Sequence, residues 1–149
     1  MIRVQVEPIR ILLVEDDEAD ILLAQRAFKR ANIWNKMDVV RNGQEALDYL
    51  YYEGNFTDPT KYPRPGLILL DLKLPGIDGH DVLDKLHKDP RMKTIPIMII
   101  STSDYKRDIE FGRAREVQHY VIKPIQVDNV MEALATIHSF RIILGNVVS

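Results

Sequence analysis

The chain contains no cysteine. That excludes a disulfide framework, a thiolate nucleophile and a thiolate zinc site, and it suits a reducing cytosol. Long apolar stretches are missing too: unbroken runs such as Ile11–Val14 extend over four residues, against the ~20 that a membrane helix needs. No signal-peptide pattern opens the sequence. Charge of one sign is also scarce. Twenty Lys and Arg face twenty-two Asp and Glu, a formal charge of −2, so nothing draws the chain to nucleic acid or to an anionic membrane. The Gly-Lys signature of a P-loop NTPase is absent. The expectation is a cytoplasmic protein that engages neither nucleic acid nor membrane.

What is present is globular: 46% hydrophobic and 28% charged residues over 149 positions, the length of one ordinary domain. Four short apolar runs stand out, Ile11-Leu12-Leu13-Val14, Leu67-Ile68-Leu69-Leu70, Ile97-Met98-Ile99-Ile100 and Tyr120-Val121-Ile122, with a weaker one over Met37–Val40. Runs this short and without polar alternation fit strands covered on both faces. Between them lie helical stripes: Leu23, Ala24, Ala27, Phe28 and Ala31; Ala46, Leu47 and Leu50; Val82, Leu83 and Leu86; Val127, Val130, Met131, Leu134 and Ile137. Asn42 with Glu45 three residues on is a helix-start signal. Residues 104–117 are weakly patterned. Strand and helix thus alternate five times, which predicts an α/β fold: a flavodoxin-like, doubly wound five-stranded parallel sheet of order 2-1-3-4-5, with helices on both faces. One domain is expected over residues 1–149, with its core at about 8–144.

In such a sheet the crevice lies beyond the carboxyl ends of the strands. The first run is followed at once by Glu15, Asp16, Asp17, Glu18 and then Asp20, the third by Asp71, the fourth by Ser101 and the fifth by Lys123-Pro124. Taken singly, each has an ordinary explanation in helix capping, the helix dipole or solvation. Capping does not require three anions and a cation at one rim. Crowded carboxylates repel and raise one another's pKa unless a cation sits among them. An all-oxygen donor set favours Mg2+ or a similar hard ion. Such an ion beside a carboxylate nucleophile points to phosphoryl transfer onto that carboxylate. Asp71 ends the central strand and is the better nucleophile. Lys123 would neutralise one phosphoryl oxygen and Ser101 would bond another.

These residues resemble the receiver domains of two-component response regulators. The matching segments are Ile11 through Asp17, Leu69 through Gly79, Ile100-Ser101 and Tyr120-Val121-Ile122-Lys123-Pro124. Together they look like the family's acidic pair, phospho-acceptor strand and loop, switch hydroxyl, and lysine with its proline. The resemblance implies Asp71 as phospho-acceptor, Mg2+ ligated directly by Asp16 and Asp71, through water by Glu15, and by the backbone carbonyl of Lys73. It implies that Lys123 pairs with the phosphate, that Ser101 and Tyr120 act as the switch, and that the Lys123-Pro124 bond is cis. Tyr62 through Leu72 and the long stretch after the second helix look most like the single-domain regulators of cyanobacterial phytochromes. The implied function is a stand-alone phosphorelay switch with no output domain. It is not an enzyme beyond its own phosphoryl transfer and slow autodephosphorylation, and it is served by a sensor histidine kinase, phytochrome-like in character.

Three other readings compete. A phosphohydrolase of the haloacid dehalogenase type wants a second acid two residues after the nucleophile, where this chain has Lys73. An FMN binder needs an uncharged phosphate loop where residues 15–20 are acidic. A receiver used only as a docking scaffold has no need of the complete set of acids, hydroxyl and lysine. Elsewhere, residues 49–62 hold five of the ten Tyr and Phe residues, followed by Pro63 and Pro65. This longer connection, at about 52–66, reads equally as a flap on its own domain or as a partner contact. The tail residues Phe140, Ile142, Ile143, Leu144, Val147 and Val148 suggest a two-fold homodimer. His80 and His87 read as solvated surface residues, and Ile2, Val4 and Val6 as an edge addition or a frayed end.

Overall fold

The computed structural model describes residues 9–102 and 105–136. The alternating start at Ile2, Val4 and Val6, and the tail residues from Ile137 onward on which the dimer reading rests, lie outside them. Five strands, β1 (Ile11–Val14), β2 (Met37–Val40), β3 (Leu67–Asp71), β4 (Ile97–Ser101) and β5 (His119–Ile122), alternate with five helices. The helices are α1 (Glu18–Arg30), α2 (Gly43–Leu50), α3 (Gly79–Lys88), α4 (Tyr105–Arg113) and α5 (Val127–Thr136). All strand pairs are parallel, in the order β2-β1-β3-β4-β5, as the alternation predicts.

Each apolar run feeds two cores because successive strand side chains point to opposite faces. Ile11, Leu13, Leu67, Leu69, Met98 and Ile100 pack with Ile21, Ala24, Phe28 and Val130 from α1 and α5. Leu12, Val14, Ile68, Leu70 and Ile99 face the other way, onto Ala46, Leu50, Val82, Leu83 and Leu86 of α2 and α3. Side-chain caps start three of the helices: Asp17 accepts from Asp20 N, Asn42 from Glu45 N at 2.8 Å, and Asp78 from His80 N. Asn42 Nδ2 also donates to the Glu45 carboxylate.

Two stripes are corrected. Ile21, not Leu23, completes the buried face of α1; Leu23 is 39% exposed and borders a groove beside Pro124 and Ile125. Met131 is 52% exposed on α5 while Val130 and Ala133 are buried. In both helices a run of adjacent apolar residues is wider than the face that the sheet covers. The aromatic connection is a flap: the rings of Tyr49, Phe56 and Tyr62 lie 4.9 to 5.7 Å apart and pack on the α2–α3 core. The Tyr49 hydroxyl donates to Asp38, which also pairs with Arg10 at 2.7 Å. Among the described residues no helix is long and apolar enough to cross a membrane.

On β5, His119 is half-buried, and burial holds its pKa below the usual 6.5, partly opposed by the charge of Glu132. The unfolded chain therefore takes up this proton more readily than the folded one, so His119 costs stability as pH falls below about 6.5. Replacing His119 with Gln is expected to flatten that part of the stability profile, read by urea unfolding at several pH values between neutrality and acid. An unaltered slope would show that His119 does not contribute to it.

Candidate functional site

The parallel register brings the strand ends together. Val14 pairs with Leu70, so Glu15 follows on beside Asp71; Ser101 pairs with Ile122, so Lys123 emerges next to it. Glu15, Asp71 and Ser101 are all buried polar groups. The Lys123 side chain reaches back across the rim. Its Nζ lies 2.7 Å from Glu15 Oε2, 2.8 Å from Asp71 Oδ2 and 3.0 Å from Asp20 Oδ2. Asp71 Oδ1 accepts from the backbone N–H of Lys73 at 2.8 Å, and the Lys73 side chain is exposed. The Lys123-Pro124 bond is cis, as the resemblance implies.

Glu15, Asp16 and Asp71 each offer one carboxylate oxygen within 4.8 Å of the others, with Asp16 exposed and the other two buried. Burial is the main reason that the Glu15 carboxyl is pushed up to about 7; the charge of Asp71 adds to it, and the hydrogen bond from Lys123 works against it. Burial also disfavours the charged form of Lys123, but its hydrogen bonds to Asp71, Glu15 and Asp20 outweigh that and hold its pKa above the ordinary value. One ammonium thus faces more negative charge than it neutralises. The donor chemistry, three carboxylates with no His or Cys, fits a hard divalent cation.

Ser101 has a partner on a neighbouring helix. Its hydroxyl donates to the buried carboxylate of Asp108 on α4. The sequence gives no sign of this partner, because α4 is short and its pattern weak. Asp20 stands in the acidic run, but only the fold shows it sharing Lys123. Nor is His80 a freely solvated side chain: its Nδ1 lies 3.2 Å from Asp78, its Nε2 3.5 Å from Asp108, and its ring stands edge-on to Phe111. Tyr120 donates to the Val117 carbonyl at 2.6 Å, and its ring lies where a side chain on Gly112 of α4 would otherwise extend.

The loop after Asp71 returns so closely that glycine is required where α3 begins. A Cβ on Gly79 would stand 2.2 Å from the Asp71 carbonyl oxygen and 2.6 Å from Leu72 Cα. Both are backbone atoms of β3 and its exit. Gly79→Ala is expected to cost about 3 kcal/mol, the upper end of overpacking penalties, visible as a lower urea midpoint. A midpoint within experimental scatter of the parent would show that the loop relaxes freely.

The chain matches the response regulator receiver domain family over residues 11–135. It is 35% identical to response regulator Rcp1 of Synechocystis sp. over 130 residues, covering 87% of this chain and 86% of that protein. Rcp1 is also known in a Mn2+-bound crystal form, with a TM-score of 0.71, 34% identity and coverage of 95% of this chain and 98% of that one. The bacteriophytochrome response regulator RtBRR superposes with a TM-score of 0.81 at 34% identity, covering 96% of this chain and 83% of its own. The phosphorylated cyanobacterial phytochrome response regulator RcpA does so at 0.73 and 36% identity, with coverage of 91% and 94%. A family match across most of the length, on a five-stranded sheet of the expected order with its acids and lysine gathered at one rim, makes this chain a member of the response regulator receiver domain family.

Proposed function

We propose that this chain is a cytoplasmic response regulator that accepts a phosphoryl group on Asp71 from a sensor histidine kinase and thereby switches a protein-interaction surface. The kinase is phytochrome-like in character, since regulators of phytochromes stand among the relatives. The observation that carries the reading is the Lys123 ammonium seated within 3.0 Å of Asp71, Glu15 and Asp20 at the mouth of the parallel sheet. A built cation and an excess of acids around one carboxylate suit a group that becomes an acyl phosphate and must then be neutralised.

Glu15, Asp16, Asp71 and the backbone carbonyl of Lys73 would hold Mg2+. When bound, the ion supplies charge neutralisation for phosphoryl oxygens and offsets the repulsion among the acids. A carboxylate oxygen of Asp71 attacks phosphorus, a new O–P bond forms as the donor's N–P bond breaks, and the electron pair leaves with the imidazole of the donor histidine. Lys123 stays beside the new phosphoryl group as its fixed positive partner. Ser101 donates its hydroxyl hydrogen to a phosphoryl oxygen, and Tyr120 follows Ser101, moving the surface formed by α4 and β5. A second copy of the chain, or a target or relay protein, reads that surface.

The experiment is transfer from a pre-phosphorylated histidine kinase in the presence of Mg2+, followed by gel separation. The label is expected to appear on this chain in proportion to the kinase label lost. No transfer, or steady turnover of phosphate esters with no labelled protein, would contradict the switch and favour a hydrolase.

A further inference from the structure

Ser101 has one hydroxyl hydrogen, and it points to Asp108 Oδ2 on α4. Asp108 is 6% exposed. Its other oxygen, Oδ1, lies 3.5 Å from His80 Nε2, and His80 Nδ1 is 3.2 Å from the Asp78 carboxylate that caps α3. The same two helices are clasped further along. Phe111 of α4 meets the His80 ring at 4.7 Å, and Arg115 covers the Phe111 ring at 3.6 Å while pairing with Asp84 of α3 at 3.1 Å. The proposed switch hydroxyl is thus held at one end of a polar chain that ties β4 to α4 and α4 to α3.

From this geometry we propose that Asp108 is a positioning residue that competes with the phosphoryl group for the hydrogen of Ser101, setting how hard the switch is to throw. The proposal rests on the reading of Ser101 given above. A hydroxyl can donate to one acceptor at full strength, and a charged acceptor holds it about twice as strongly as a neutral one. Donation to a phosphoryl oxygen on Asp71 takes the hydrogen from Asp108 and leaves a buried carboxylate facing His80. The cost of that release opposes activation, and because Asp108 sits on α4, the same event loosens α4 from β4. The latch and the moving surface are then one device: the side chain that restrains Ser101 belongs to the helix that must shift.

The test is the affinity for fluoroberyllate, a phosphoryl mimic, measured with Mg2+ by calorimetry on the full chain and on a double-mutant cycle. Asp108→Asn keeps the shape and weakens the acceptor, and is expected to bind the mimic about tenfold more tightly. Ser101→Ala is expected to bind it more weakly, and adding Asp108→Asn to Ser101→Ala is expected to change nothing further. That last arm separates positioning from a general structural effect. An unchanged affinity in Asp108→Asn, or an equal gain with and without Ser101, overturns the latch. An unchanged affinity in Ser101→Ala overturns instead the role given to Ser101 itself. Should Asp108→Asn fail to fold, the unmutated protein answers through the carboxyl carbon resonance of Asp108. It is expected to move when fluoroberyllate is added, and a stationary resonance in the saturated complex overturns the proposal.

Discussion

Lys123→Met is expected to slow phosphoryl acceptance from a small acyl phosphate by about 10²–10³-fold, the loss that follows removal of one preorganised charge-stabilising donor. Methionine keeps most of the length and apolar stem of a side chain that is only 10% exposed, so packing changes little and charge is what is lost. The ammonium lies 2.8 Å from Asp71 Oδ2, where no rearrangement is needed to meet a phosphoryl group on the proposed acceptor. Stability should fall as well. Removing one partner from a buried pair costs about 3–5 kcal/mol, and here Glu15, Asp20 and Asp71 all lose the same cation. The observed loss should stay below that range, near 2 kcal/mol, because Asp20 is partly exposed and Glu15, held near pH 7 by burial, takes up a proton. Initial rates of phosphoryl addition and urea unfolding read the two effects. A variant within threefold of the parent rate would remove Lys123 from the chemistry.

Asp71→Asn should move stability the other way. Asp71 sits with Glu15 and Asp16 in a cluster whose carboxylate oxygens lie within 4.8 Å, and its charge helps to raise the Glu15 carboxyl. An amide removes one of these charges while its oxygen still accepts from Lys73 N. Lys123 keeps Glu15 and Asp20. Without divalent cation the variant is expected to be more stable by about 1–2 kcal/mol, a size common where an active-site charge is traded away. With the cation the gap should narrow, because the ion binds the folded parent more tightly than the variant. Thermal melting in chelator and in Mg2+ measures both. A lower melting temperature for Asp71→Asn in chelator would mean that the attraction between Asp71 and Lys123 outweighs the repulsion among the acids.

The fold was legible because its signals are local. Four-residue runs such as Leu67 to Leu70 fit doubly covered parallel strands; the runs of β1 and β3 are buried throughout, whereas Ile122 at the end of the β5 run is 52% exposed because β5 lies at the sheet edge. Helix starts were legible where a side chain caps its own helix, as Asn42 does. The rim followed from topology: once the strands are parallel, Glu15, Asp71, Ser101 and Lys123 must meet. What escaped was pairing between elements. Asp108 lies seven residues beyond Ser101 on a helix that begins at Tyr105, and nothing in its neighbours marks it as buried. His80 looked solvated because no sequence pattern shows that α4 brings Phe111 and Asp108 over it. A run of apolar residues does not say which of them the sheet reaches, so spacing alone puts Leu23 and Met131 inward where the structure exposes them. The aromatic flap, equally a partner contact by sequence, closes on its own domain because Phe56 and Tyr62 of the connection converge on Tyr49 of α2.

The central claim is that Asp71 carries the phosphoryl group, and intact-mass measurement after incubation with Mg2+ and a small acyl-phosphate donor addresses it most directly. The parent is expected to gain one phosphoryl group, and Asp71→Asn, folded and at least as stable, to gain none. No addition to the parent under these conditions, or an addition that survives in Asp71→Asn, would contradict it.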